Sequence, residues 1–290
     1  MSEAADPIAV ANLTGFPLQL ALEAITRAHD REYNWYVLSR EHFCPPSAET
    51  PYLFIDLVVS GTRQSQHDGT YYRCILVIEC KRLDSDWVFL EPREDRPFTS
   101  PGVDLLTTVP SAGALQHPTH PWCRVQFGPT SEQSAFCALS TRRGAQAGQP
   151  DRRTLEGWCR ELLTSTVALA RQSASSFVDL GSLGSDRPRS PSIAVFMPVI
   201  VTTARLSILS FDPGAVPLAT GTVPPPPASV SREVSSIWFA KDFGFEPEAS
   251  DPLAPSFRTP PSQGVLVVHA TAFAEFLRQS QGIHVRARET

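Results

Sequence analysis

The sequence predicts an α/β protein in which a mixed central sheet is flanked by helices and joined by long Pro-rich loops. Three observations carry that prediction. Residues 17–29 place Leu18, Leu22, Ile25 and His29 at helical spacing, and residues 154–171 do the same with Leu155, Trp158, Cys159, Leu162, Leu163 and Val167. Between the helices, YLFIDLVVS (52–60) and YYRCILVIECKR (71–82) are strand-like apolar runs separated by a polar turn containing Asp68-Gly69. After the second helix, IAVFMPVIVTTARLSILSF (193–211) is too rich in β-branched residues for a loop.

In chain order, the first 13 residues read as loosely ordered, and Pro17 fits the first turn of the helix that follows. Gln19, Glu23, Thr26 and Asp30 form a second, polar row on that helix. Residues 33–43 read as a short strand or a continuation of the helix, ended by Pro45-Pro46. After the two apolar runs, WVFL (87–90) reads as a third strand, turned back by Asp84-Ser85-Asp86. Residues 92–133 show little period and many breakers, which predicts a long insertion. SAFCALS (134–140) is a short strand or helix. On the second helix, Glu156 and Arg160 are spaced for an i,i+4 ion pair. The run 193–211 divides into two strands, with Pro198 expected at a strand start or edge because proline cannot donate to a ladder. Pro224–Pro227 is expected to be extended, residues 234–243 and 265–269 to be strands, and 270–280 to be a helix with Phe273, Phe276 and Leu277 inward. The expected division is a core over 1–211, with 92–133 inserted, and an extension over 212–290 packed on it.

Composition narrows the function. A formal net charge of −5 and a pI near 5.8 argue against coating nucleic acid by bulk charge, so phosphate contact would need a local patch or a metal. Arg142, Arg143, Arg152, Arg153 and Arg160 are the candidates for such a patch. The six cysteines form no C-x-x-C pair and read as free thiols of a reduced compartment. No secretory leader and no run of 18 apolar residues occurs, so a cytoplasmic protein with no membrane partner is expected. His117, His120 and Cys123 recur every third residue, but Pro118 and Pro121 break any helix there and no fourth zinc ligand is close. Nucleotide-binding glycine loops and the G-x-S-x-G elbow are absent.

Charge inside the two apolar runs is the distinctive feature. Asp56 interrupts the first run, while Glu79 and Lys81 close the second and share one face, with Ile78 and Cys80 on the other. Such groups are costly to desolvate unless they bind a cation or each other. The chain contains 23 arginines and only two lysines, Lys81 and Lys241, so the use of an ammonium at this point is itself informative.

Asp56, an interval of 22 residues, and Glu79-Cys80-Lys81 resemble the PD-(D/E)XK nuclease superfamily, with Ile55 where its name-giving proline would stand. That resemblance implies a restriction-endonuclease-like core and hydrolysis of phosphodiester bonds in nucleic acid, DNA foremost. It implies Mg²⁺ or Mn²⁺ on Asp56, Glu79 and the backbone carbonyl of Cys80. Lys81 would steer the attacking water, and an acid on the first helix, with Glu23 the best match and Gln19 the other candidate, would complete the catalytic set. A homodimer or a targeting partner would fit cleavage of both strands of a duplex. Lys241-Asp242 is expected to be a surface ion pair. The competing reading is a catalytically inactive scaffold or interaction protein, in which Glu79 and Lys81 simply bridge along one strand.

Overall fold

The computed structural model describes residues 6–11, 14–44, 53–64, 71–92, 103–108, 122–126, 132–139, 155–180, 192–241, 243, 263–280 and 284–286. Among the described residues, three helices come first: α1 (Pro7–Ala11), α2 (Phe16–Ala28) and α3 (Asp30–Tyr33). Strands β1 (Trp35–Cys44), β2 (Leu53–Gln64) and β3 (Tyr71–Lys81) form an antiparallel meander. Next come β4 (Asp86–Pro92), β5 (Val103–Thr108), β6 (Trp122–Gln126), β7 (Gln133–Ser134) and β8 (Phe136–Leu139). Helix α4 (Leu155–Leu180) leads to β9 (Ser192–Thr202) and β10 (Arg205–Phe211). The remainder forms β11 (Ser229–Glu233), β12 (Ser236–Lys241), β13 (Gln263–His269), α5 (Phe273–Gln279) and β14 (His284–Arg286).

Among the described residues, ten strands form one mixed sheet, whose main path runs β1-β2-β3-β9-β13-β5-β6-β14, and four form a second. The crossover from β3 to β9 is parallel and passes through α4. Both faces of the sheet are covered, which is why β3 is apolar throughout rather than alternating. Its even-numbered residues Cys74, Leu76, Ile78 and Cys80 meet Leu22 of α2 and Phe273, Phe276 and Leu277 of α5. Ile75 and Val77 face α4 through Trp158, Leu162 and Leu163. A second sheet of four strands, β11-β10-β4-β8, adds Trp87, Phe89, Leu206 and Ile208 to the same cluster as α4.

Trp35 ties the two ends of the described chain together. Its ring is fully buried, and Nε1 donates to the Leu277 carbonyl oxygen at 2.9 Å. Its cross-strand partner on β2 is Gly61, over which the indole lies. A Cβ built on Gly61 would stand 2.7 Å from a ring carbon of Trp35.

Several expectations change. Pro7–Ala11 is helical. β4 does not extend the meander but leaves it for the second sheet, where it runs parallel to β10. The 92–133 stretch is not purely irregular, since β5 and β6 pair with each other and β5 joins β9 and β13. Pro198 lies inside the central strand β9 rather than at an edge, but it sits where β9 changes neighbours, after Phe196 pairs with β5 and before Val199 pairs with β13. A residue without an N–H is tolerated at such a gap between ladders. Pro226 and Pro227 form a turn rather than an extended run. Glu156 pairs with Lys241 at 2.6 Å rather than with Arg160, because β12 brings the lysine to α4. Residues 212–290 supply β11 to the small sheet and β12, β13 and β14 to the large one, with β13 directly beside β9.

The inward stripe of α4 and the inward set of α5 agree with the sequence reading, although α4 runs to Leu180 rather than ending near Arg171. Cys74, Cys80, Cys137 and Cys159 are free thiols. Among the described residues, no helix is long and apolar enough to cross a membrane. Arg142, Arg143, Arg152, Arg153, His117 and His120 lie outside the described residues, and Arg160 is exposed on α4.

Candidate active site

The site forms where β2 and β3 part. Their paired register ends at Leu57 opposite Ile78, so one further step sets Asp56 against Glu79. There the ladder changes character, because the Cys80 backbone N–H donates to the Asp56 carboxylate Oδ2 at 2.6 Å. A side chain has taken the place of a strand carbonyl. From the opposite face, Gln19 Nε2 of α2 donates to the Asp56 carbonyl oxygen at 2.7 Å, fixing the backbone as well. N–H and C=O of one strand residue point to the same side, so the Cys80 carbonyl also faces the region that β2 has vacated. Gly15 stands near it, with a built Cβ 3.6 Å away.

β1 is distorted at the same level. Its register with β2 is unbroken from Arg40–Leu57 to His42–Ile55, which sets Glu41 opposite Asp56, and Glu41 itself has φ 46°. Left-handed backbone at a non-glycine residue costs about 1–2 kcal/mol. That register places Glu41 close enough to Asp56 to raise its proton affinity.

On the α4 face, Lys81 Nζ donates to Glu79 Oε1, and both side chains are about one-fifth exposed (19% and 22%). Lys81 Nζ also stands 5.4 Å from the centroid of the Trp158 ring, within reach of a cation–π contact. Trp158 in turn stacks on Trp87, with centroids 5.8 Å apart and planes 24° apart.

Burial is the main force on both acids. It pushes the Glu79 carboxyl up to about 7 from the ordinary 4.5, with Asp56 adding to the rise, Lys81 opposing it and Glu161 of α4 adding a smaller push. Asp56 is likewise raised by burial, offset by the Cys80 N–H and by Lys81. The Cys80 thiol is pushed far up by burial and these acids, so sulfur is not the donor this residue offers. Asp56 and Glu79 are hard oxygen donors beside one ammonium, with Glu41 and Glu161 acting on them electrostatically. That is the donor chemistry a divalent cation of the Mg²⁺ class prefers.

A pH dependence follows. Between pH 4.5 and about 7 the unfolded chain has lost the Glu79 proton while the folded chain keeps it, so stability falls as pH rises through this window. In chelator, Glu79→Gln is expected to flatten the fall and to unfold at a higher temperature than wild type at pH 7.5. The effect is on the order of a few kcal/mol at most. Thermal melts of both proteins from pH 4.5 to 8 measure it, and parallel profiles would show that Glu79 ionises without strain.

The predicted residues therefore divide. Asp56, Glu79, Lys81 and the Cys80 backbone come together. Glu23 does not join them: it is buried, but Oε1 accepts from Arg27 Nη2 at 2.7 Å and Oε2 stands 3.6 Å from Arg40 Nη1. Arg40 pairs with Leu57, whose side chain lies in the α2 cluster, so Glu23 sits across the sheet from Lys81. Gln19, one turn earlier, is the α2 residue that reaches Asp56. Lys241 is engaged with Glu156, and Asp242 lies outside the described residues. Glu41, Glu161 and the Lys81–Trp158 contact were not anticipated. The polar run Ser39–His42 inside a strand was the signal for Glu41, whereas the other two depend on the crossover of α4. Among the described residues, no group of three or more His, Cys, Asp or Glu is close enough to hold a metal ion. Comparison with protein-family models, curated proteins and solved structures returns no match.

Proposed function

We propose that this chain is a metal-dependent nuclease with a restriction-endonuclease-like core, hydrolysing phosphodiester bonds of DNA or RNA. The observation that carries the reading is the convergence of Asp56, Glu79 and Lys81 at the point where β2 and β3 separate. The element order supports it: helix α2, antiparallel β1 to β3, crossover helix α4, and β9 parallel to β3. Asp56, Glu79 and the Cys80 carbonyl would hold Mg²⁺ or Mn²⁺, which when bound supplies a Lewis acid for phosphate oxygen and a more acidic water.

The protein's own groups have distinct tasks. The Cys80 N–H and Gln19 hold Asp56 in one orientation from two sides. Lys81 keeps Glu79 turned into the site and carries N–H donors that orient the attacking water and stabilise negative charge as the bond breaks. Glu41 and Glu161 extend the negative field, which repels a bare phosphodiester and makes cleavage conditional on a cation.

The test is a panel of plasmid, linear duplex, single-stranded DNA and RNA in Mg²⁺ or Mn²⁺, comparing wild type with Lys81→Ala. Cleavage that chelator abolishes and Lys81→Ala lowers by roughly 100-fold or more would support the reading and name the substrate class. The scaffold reading is favoured by one observation, that Glu79 has a partner on its own strand in Lys81. It expects no cleavage, and Mn²⁺ binding that does not change between wild type and Asp56→Ala.

A further inference from the structure

We propose that Trp158 is a positioning residue that holds the Lys81 ammonium over its indole face. Lys81 has two partners of different kinds, the Glu79 carboxylate on its own strand and the Trp158 ring on the crossover helix. The first is available to any strand with Glu and Lys two residues apart. The second exists only because α4 packs Trp158 against this face, where the ring is 6% exposed and locked by its stack on the fully buried Trp87.

The two contacts act differently on the ammonium. A carboxylate partner neutralises the charge and takes a hydrogen bond, so a Lys81 held by Glu79 alone would follow that carboxylate whenever it turned toward a cation. The ring attracts the charge through its π face while leaving the N–H groups available to an oxygen ligand. A compact ammonium fits a slot between an acid and a ring face, whereas the wider, planar guanidinium would have to stack flat upon it. This accounts for a lysine here in a chain that otherwise uses 23 arginines against two lysines. The catalytic part of the inference rests on the nuclease reading; the contact itself does not.

The same composition makes the test direct. Lysine-selective ¹³C labelling gives two side-chain ε-methylene signals, from Lys81 and Lys241, and Lys241 beside Glu156 serves as the internal reference. The Lys81 signal is expected upfield, shifted by the Trp158 ring current, to return toward the Lys241 position in Trp158→Leu, and to keep part of its shift in Trp158→Phe. Two unshifted signals in the wild-type protein would overturn the proposal, whatever the folding of the variants. In cleavage assays, Trp158→Leu should lower kcat roughly tenfold, the loss of about one cation–π contact, with KM and Mn²⁺ affinity unchanged. A Trp158→Leu enzyme with wild-type kcat would also overturn it. If wild type shows the upfield signal but cleaves nothing in the panel, the nuclease reading fails and the Lys81–Trp158 contact stands.

Discussion

Asp56→Asn is expected to lower metal-dependent cleavage by about 100- to 1,000-fold or more, the scale of losing one preorganised electrostatic partner, while leaving the fold as stable as wild type or more so. The two effects separate because the carboxylate does two jobs. Its Oδ2 accepts the Cys80 N–H, and an asparagine oxygen can accept the same bond. Its charge is opposed by burial, so removing the charge relieves the metal-free protein. Asp56→Ala is different: it strands a buried N–H, at a cost of about 1–3 kcal/mol. Cleavage rates, Mn²⁺ titration calorimetry and thermal melts in chelator on the pair of variants resolve these contributions. Wild-type Mn²⁺ affinity in Asp56→Asn would remove Asp56 from the site.

Gly61→Ala should destabilise the protein by about 1–3 kcal/mol, although it adds a single methyl group far from the site. The methyl would enter the Trp35 ring, which is fully buried and has no second place to go. Moving the ring would also break the Nε1 bond to Leu277. Urea unfolding is the measurement, with a lowered midpoint at unchanged slope expected. An unchanged midpoint would mean that the indole does not lie over Gly61. Gly61 is a case in which the missing side chain is the packing surface, as close cross-strand approach to a large aromatic requires.

The strand pair, the long helix and the inward set of α5 were legible because each shows its period locally: apolar runs at 53–60 and 74–80, and Leu155, Trp158, Leu162 and Leu163 on one stripe. The partners of those elements were not. Nothing near Trp87 says that β4 pairs with β10, 119 residues away, rather than turning back on β3. Pro198 reads as a strand start or edge because a single strand carries no record of a change of neighbours. The core of the site was visible as charge inside apolar strands. Glu23 misled because its helix also buries its polar row: Gln19, Glu23 and Thr26 are as buried as Leu22. Spacing assigns residues to a helix face, but it does not say which half of that face reaches which strand.

The bond between Trp35 and Leu277 spans 242 residues, and β13 is inserted beside β9 in the middle of the large sheet. Synthesis proceeds in one direction, so the flank of β9 that β13 covers stays open until residues 263–280 have left the ribosome. Before that moment β1, β2, β3 and β9 can pair, but Leu22, Leu76 and Val199 have no α5 to close over them. A nascent chain of this kind exposes an apolar sheet face and an open strand edge for most of its translation, and its yield in cells should depend on chaperones that hold such surfaces rather than on the stability of the finished fold.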